Sequence, residues 1–116
     1  MADVRVYGIS NCDTVRKARK WLEARGIAYV FCDFRKDGVD PAQLERWVAA
    51  TGWEVLLNRR GTTFRNLPET SKIDLDESRA LALMAAHPAT VKRPVVEHRG
   101  GLLVGFDEAI WAAALS

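Results

Sequence analysis

Between residues 4 and 34 the spacing of apolar side chains changes twice, and this change restricts the fold more than any other feature of the chain. Val4-Arg5-Val6-Tyr7 is β-branched and alternating, which predicts a strand that Gly8 ends. From Val15 onward, Val15, Ala18, Trp21 and Leu22 recur at helical spacing, and Gly26 stands where a helix C-terminal glycine belongs. The apolar run from Ala28 to Phe34 predicts a second strand. A strand-helix-strand unit of this kind favours a parallel pair with a right-handed crossover.

The rest of the chain reads as helices followed by a hairpin. Asp40-Pro41-Ala42-Gln43 offers an N-cap, a first-turn proline and a capping-box glutamine, ahead of Leu44, Trp47 and Val48 on one face and a stop at Gly52. Asp76 introduces a second helix through Leu81 and Met84 that must end near His87-Pro88. Val95 to His98, the turn Arg99-Gly100-Gly101 and Leu102 to Gly105 predict a β-hairpin, and Asp107 caps a last helix running to Leu115. The order is that of a small α/β sheet with a helical insertion at about residues 40–88. At 116 residues, 48% of them hydrophobic, a single domain over 1–116 is expected.

Charge and cysteine usage narrow the partners. Seventeen Lys and Arg against 15 Asp and Glu leave a net charge of +2, too small to favour nucleic acid or an anionic membrane. Two cysteines are too few for a disulfide framework, and the first residues lack the basic stretch and apolar core of a signal peptide, so a cytoplasmic location is expected. Apolar runs such as Ala80 to Ala86 fall far short of a bilayer span. The cluster Arg16-Lys17, Arg19-Lys20 interleaves with apolar positions and reads as the solvated face of a helix.

Cys12 lies in the loop between the first strand and its helix, at the edge where open α/β sheets usually bind ligands. Unpaired N–H groups and the positive end of the helix favour a thiolate there, and the thiolate is the nucleophile. Asn11 and Thr14 can donate hydrogen bonds and Arg16 adds positive charge, whereas Asp13 opposes them. On position alone Cys12 is either a nucleophile or a small turn residue. Cys32 falls inside an apolar strand and reads as a small core hydrophobe, with a resolving thiol as the other reading. A metal site from Cys12, Cys32, His87 and His98 would need four isolated residues to converge, so none is expected; His87 reads as a helix end and His98 as a hairpin end. The arginines of Arg59-Arg60 and Lys92-Arg93 supply planar multi-donor groups suited to an anion or carboxylate.

The segments GISNCDTVRKARKWLEARGI, LLNRRGTTFR, KRPVV and LVGF together resemble the arsenate reductase-related (ArsC-like) family, most closely its YffB-type branch, essentially from end to end. The resemblance implies a thioredoxin-like (glutaredoxin-like) fold with a helical insertion. It implies that Cys12 is the reactive thiol, that Arg16 belongs to an anion-binding loop, that Arg60 and Arg93 line the same pocket, and that Pro94 is a cis-proline. Glutathione-coupled arsenate reductases resemble the chain but carry a histidine at the strand end and a third arginine near the final strand, where this chain has Gly8 and Phe106. Spx-type regulators carry a Cys-x-x-Cys switch, and here its second position is Val15. The expected activity is therefore glutathione-dependent thiol oxidoreduction through Cys12 alone. Glutathione would act as co-substrate beside a disulfide or oxyanion substrate, with no metal, membrane or nucleic acid, in a monomer. Arsenate reduction and a redox-sensing regulator are the alternatives.

Overall fold

The computed structural model describes residues 3–115; residues 1, 2 and 116, the ends of the expected 1–116 domain, lie outside the described residues. The described chain divides into two compact units, one reaching Asp37 and resuming at Arg93, the other Gly38–Lys92.

In the first unit, β1 (Arg5–Gly8), α1 (Asp13–Ala24) and β2 (Val30–Asp33) form the expected strand-helix-strand arrangement. β1 and β2 pair in parallel, with Val6 opposite Phe31 and Tyr7 opposite Cys32. α1 stops because Gly26 takes a φ of +67°: its N–H bonds the Glu23 carbonyl and that of Ile27 bonds Leu22, closing the last turn. Ile27 then packs back on the core. α2 (Phe34–Asp37) follows β2 directly. The apolar run predicts that Phe34 continues the strand; instead the Asp33 carboxylate accepts the Arg35 N–H at 2.8 Å and turns the chain into this short helix. Phe34 is buried as its first residue.

The second unit is helical. α3 (Pro41–Thr51) starts as expected, with Asp40 accepting the Ala42 N–H at 3.0 Å, and ends at Gly52, whose φ is +87°. α4 (Trp53–Leu56) and α5 (Thr62–Arg65) are single turns that the apolar spacing does not signal. α6 (Glu77–Ala86) is capped by Asp76, which accepts the Arg79 N–H, and stops at His87. Leu44, Trp47, Val48, Leu56, Ala80 and Met84 are buried here. Segment 56–58 is laced to 90–92 by the Leu57–Val91 bridge and by N–H donations from Asn58 to Thr90 and from Lys92 to Leu56, each at 2.8 Å.

Back in the first unit, β3 (Val95–His98) and β4 (Gly101–Val104) form the hairpin, and α7 (Glu108–Leu115) comes after Asp107, whose carboxylate accepts the Ile110 N–H. The turn is shorter than expected: Gly101, at φ +148°, already pairs with His98, so Arg99-Gly100 alone makes it. β3 runs antiparallel to β1 and the sheet order is β2-β1-β3-β4. Alternation sends Val6, Phe31, Val96 and Leu103 to one face, where Ala18 and Leu22 of α1 and Trp111 of α7 cover them. Trp111 is the anchor, edge-on to Phe106 and Trp21 with its indole N–H on the Gly105 carbonyl; its removal would cost about 3–5 kcal/mol. The opposite face carries Arg5, Tyr7, Cys32, Val95 and Glu97. No helix among the described residues is long and apolar enough to cross a membrane.

Candidate active site

Strand register gathers one end of the sheet. β1 ends at Gly8 beside Asp33 of β2, and because Tyr7 faces Val95 in antiparallel register, β3 starts from Arg93-Pro94 at that same end. The loop carrying Cys12 leaves from this end. The Arg93–Pro94 peptide bond is cis, and the carbonyl of the buried Pro94 accepts the Gly105 N–H at 2.8 Å, tying the start of β3 to the end of β4.

Cys12 is the N-cap of α1, with φ −97° and ψ 127°, and its thiol makes no capping bond. Its N–H donates to the Ile9 carbonyl at 3.2 Å and its own carbonyl accepts the Arg16 N–H at 2.9 Å, so the backbone of the loop is fixed while the half-buried sulfur stays free. The first-turn N–H groups of α1 have no intrahelical partner and point toward this end. Asn11 and Thr14 are exposed on either side of Cys12. The Arg16 guanidinium reaches back over its own loop, donating to the Asn11 carbonyl at 3.2 Å and pairing with Asp13 at 3.0 Å. Both partners of that pair are more than half exposed, so it contributes little stability and leaves Arg16 available to an incoming anion.

Two side chains complete the loop, and of these the apolar pattern announces only Val15. Val15 is fully buried, and a Cβ placed on Gly8 would lie 2.8 Å from its Cγ2. Gly8 is therefore required by close approach to Val15. Asp33, missed on sequence, accepts from Ser10 N–H at 3.4 Å as well as from Arg35. The Arg35 N–H, first among its causes, holds this carboxyl below the usual carboxylate range. An aspartate between an apolar strand and a polar FRKD turn is the available signal.

Cys32 departs from the core reading. It is half-buried and shares the sheet face opposite α1 and α7 with Tyr7, Arg5 and Glu97, because Phe31 takes the core-facing position of the pair. Burial pushes its thiol up; Asp37 and Glu97 act in the same direction and Arg5 opposes them. Phe106 packs against Trp111 and Trp21, with centroids 4.8 and 6.2 Å away, so it belongs to the aromatic cluster under the sheet. No group of three or more His, Cys, Asp or Glu among the described residues is arranged to hold a metal ion.

Arg60 belongs to the helical unit. There Asn58 turns the chain by accepting the Arg60 N–H at 3.1 Å, and Arg59, Arg60 and Lys92 line one cavity of about 520 Å³. Lys92 reaches it through the pairing of 56–58 with 90–92, a juxtaposition that the sequence spacing conceals.

A half-buried free cysteine thus caps a helix at the strand end of a thioredoxin-like sheet, with a cis-proline at the head of the neighbouring strand. The chain belongs to the ArsC family, whose model matches residues 7–114. A solved YffB protein is 50% identical, with 97% of this chain and 99% of that one covered at a TM-score of 0.94. The solution structure of an arsenate reductase (ArsC) related protein from Brucella melitensis is 51% identical, covering 97% and 93% of the two chains, with a TM-score of 0.78. An uncharacterised protein of Haemophilus influenzae is 44% identical over 97% of this chain and 99% of its own.

Proposed function

We propose that this protein is a glutathione-dependent thiol oxidoreductase that works in a cytoplasm through Cys12 alone. The observation that carries the reading is the free sulfur of Cys12 at the head of α1, combined with a fully buried Val15 where a vicinal thiol would have to stand. The Cys12 thiolate attacks one sulfur of a substrate disulfide, forms a mixed disulfide and expels the other sulfur as thiolate. A first glutathione thiolate attacks Cys12 sulfur, releases the second substrate thiolate and leaves Cys12 joined to glutathione. A second glutathione thiolate attacks that glutathione sulfur, giving oxidised glutathione and the free Cys12 thiolate. The sum is one disulfide reduced and two glutathiones oxidised. Arg93, on the same sheet end as Cys12, offers a guanidinium suited to a carboxylate, and the exposed Arg16 offers another.

Arsenate reduction is the weaker reading. The strand-end position is closed to a histidine by Val15, and Phe106 is held in the aromatic cluster. A Cys-x-x-Cys regulator is disfavoured by Val15 itself. The deciding experiment incubates the protein and its Cys32→Ser variant with oxidised glutathione, with mass spectrometry before and after reduced glutathione is added. One adduct at Cys12 in both proteins, removed by reduced glutathione, is the expected result. A Cys12–Cys32 disulfide in place of the adduct, or an unmodified Cys12, would overturn the proposal.

A further inference from the structure

The two edges of the sheet are finished differently. Among the described residues β2 pairs only with β1 and β4 only with β3, so each strand leaves one row of backbone donors and acceptors open. Along β2 that row is guarded. The Arg19 guanidinium lies over the Phe31 ring at 4.1 Å and its Nε–H donates to the Tyr29 hydroxyl, while Asp33 turns the chain at the strand end. β4 has no such guard: from Gly100 to Phe106 there is neither a charge nor a proline, the features by which natural edge strands avoid pairing. The bond from the Gly105 N–H to the Pro94 carbonyl fixes which groups are free. With Gly105 bonded to β3, the alternate residues Leu103 and Gly101 also turn their backbone groups to β3, and Leu102 and Val104 turn theirs to the open edge.

Helix α7 extends this surface. From Ala109 to Leu115 its only polar side-chain group is the Trp111 indole N–H, and a helix apolar all round is normally covered on every side. Trp111 is buried against Trp21 of α1, and Ala112 and Leu115 are half-buried, whereas Ile110, 57% exposed, forms an open stripe with Ala113 and Ala114. That stripe lies on the side of α7 turned from α1. Because α1 links β1 and β2 while α7 follows β4, the stripe borders the open edge. Charge selects the occupant. Arg99 stands before β4 and Asp107-Glu108 after it, so the strand carries a cation at its start and anions at its end, and it complements itself when two copies meet antiparallel. With Leu103 opposite its own copy, Leu102 meets Val104 through their free backbone groups, and Arg99 meets Asp107 beside Glu108. Arg99 already pairs with Asp3 at 3.1 Å, but both are exposed and the guanidinium fork has donors left for a second carboxylate.

We infer that β4 and α7 form the contact surface of a twofold dimer: the β4 edges join antiparallel into one continuous sheet, and the Ile110 stripes pack on each other. This departs from the monomer expected from the sequence. A short edge and one helix stripe make a small interface, so sedimentation velocity of the full chain from about 5 µM to about 1 mM should show monomer giving way to dimer. Ile110→Lys, Arg99→Glu and Glu108→Lys should each raise the dissociation constant about tenfold or more, and the double variant Arg99→Glu/Glu108→Lys should return most of the loss, because reversing both charges restores the complement. All three residues are exposed, so melts at the lowest concentration should match the parent. Hydrogen exchange of the parent followed by NMR reads the register: the Leu102 and Val104 amides should slow at high concentration, while the Leu103 amide is slow throughout. A chain that stays monomeric over this range would leave the edge to a strand of another protein and overturn the proposal. So would a dimer that the single variants leave intact, a double variant no tighter than the charge-reversed singles, or Leu102 and Val104 amides that exchange alike at both concentrations. Growth beyond the dimer would refute the closed twofold pairing.

Discussion

Replacing Gly8 by alanine puts one methyl group into the tightest contact near Cys12, where the packing leaves no room for it. The new Cβ would stand 2.8 Å from Val15 Cγ2, whereas carbon atoms rest at about 3.5–4.0 Å. Val15 cannot step aside, because a β-branched residue in a helix has one strongly preferred χ1 and this one is fully buried. Overpacking of this kind costs about 1–3 kcal/mol. The reduced freedom of the unfolded chain returns about 0.4–1 kcal/mol, so the steric term wins and a net loss of about 1–2 kcal/mol is expected. At this chain length that lowers the melting temperature by roughly 4–8 °C. Val15→Ala alone should cost about 2 kcal/mol, from two methyl groups at about 0.8 kcal/mol each and a residual cavity. In the double variant the added methyl fills the space the valine vacates, so the sum of the single losses should overestimate its loss by about 1–2 kcal/mol. Thermal and urea melts monitored by circular dichroism measure all four proteins. An unaltered Gly8→Ala protein, or a strictly additive double variant, would refute the steric argument and with it the claim that Val15 closes the strand end to a larger residue.

The same geometry sets three further outcomes. Iodoacetamide should label Cys32 only at pH values above those at which an ordinary free thiol reacts, because burial pushes its thiol up; peptide mapping against a free cysteine peptide from about pH 6 to about pH 10 checks this, and coincident profiles would contradict it. Asp33→Asn should destabilise the protein at neutral pH but not in strong acid. A carboxyl whose folded value lies below its unfolded one stabilises above the ordinary carboxylate range and loses that contribution as pH falls through the depressed value, so melts of parent and variant should converge in acid. Phe106→Arg should lower stability by removing a ring from the Trp21–Trp111 cluster without creating arsenate turnover, as a melt and a glutathione-coupled arsenate assay would show together.

The sheet and the long helices are legible in the sequence because each is fixed by local chemistry. Alternation in Val4 to Tyr7, the helical spacing of Val15, Ala18 and Leu22, and the carboxylate caps at Asp40, Asp76 and Asp107 all mark elements that form where the pattern puts them. The failures arise where a side chain overrides the pattern. Phe34 extends an apolar run, yet Asp33 caps the backbone one residue earlier and starts α2. α4 and α5 are too short for a 3.6-residue period to register. Cys32 reads as core because its neighbours are apolar, but a strand sends alternate residues to opposite faces, and Phe31 holds the inner one.

Legibility of the candidate site divides in the same way between local and tertiary causes. The position of Cys12 is readable because a strand end, a loop and a helix start are consecutive in the chain, and consecutive residues need no folding to be neighbours. Arg93-Pro94 and Asp33 reach the same sheet end only through β1, whose two edges accept a parallel and an antiparallel partner in particular registers. Those registers depend in turn on which face is buried: a slip of one residue would exchange Val6 with Tyr7 and expose the core face. Strand direction sets the end that the cysteine loop and the cis-proline share, and the packing of Val6, Val96 and Leu103 under Trp111 fixes the register in which they meet there. Trp111, packed in the core beneath the sheet, accordingly bears on the composition of the site through that register.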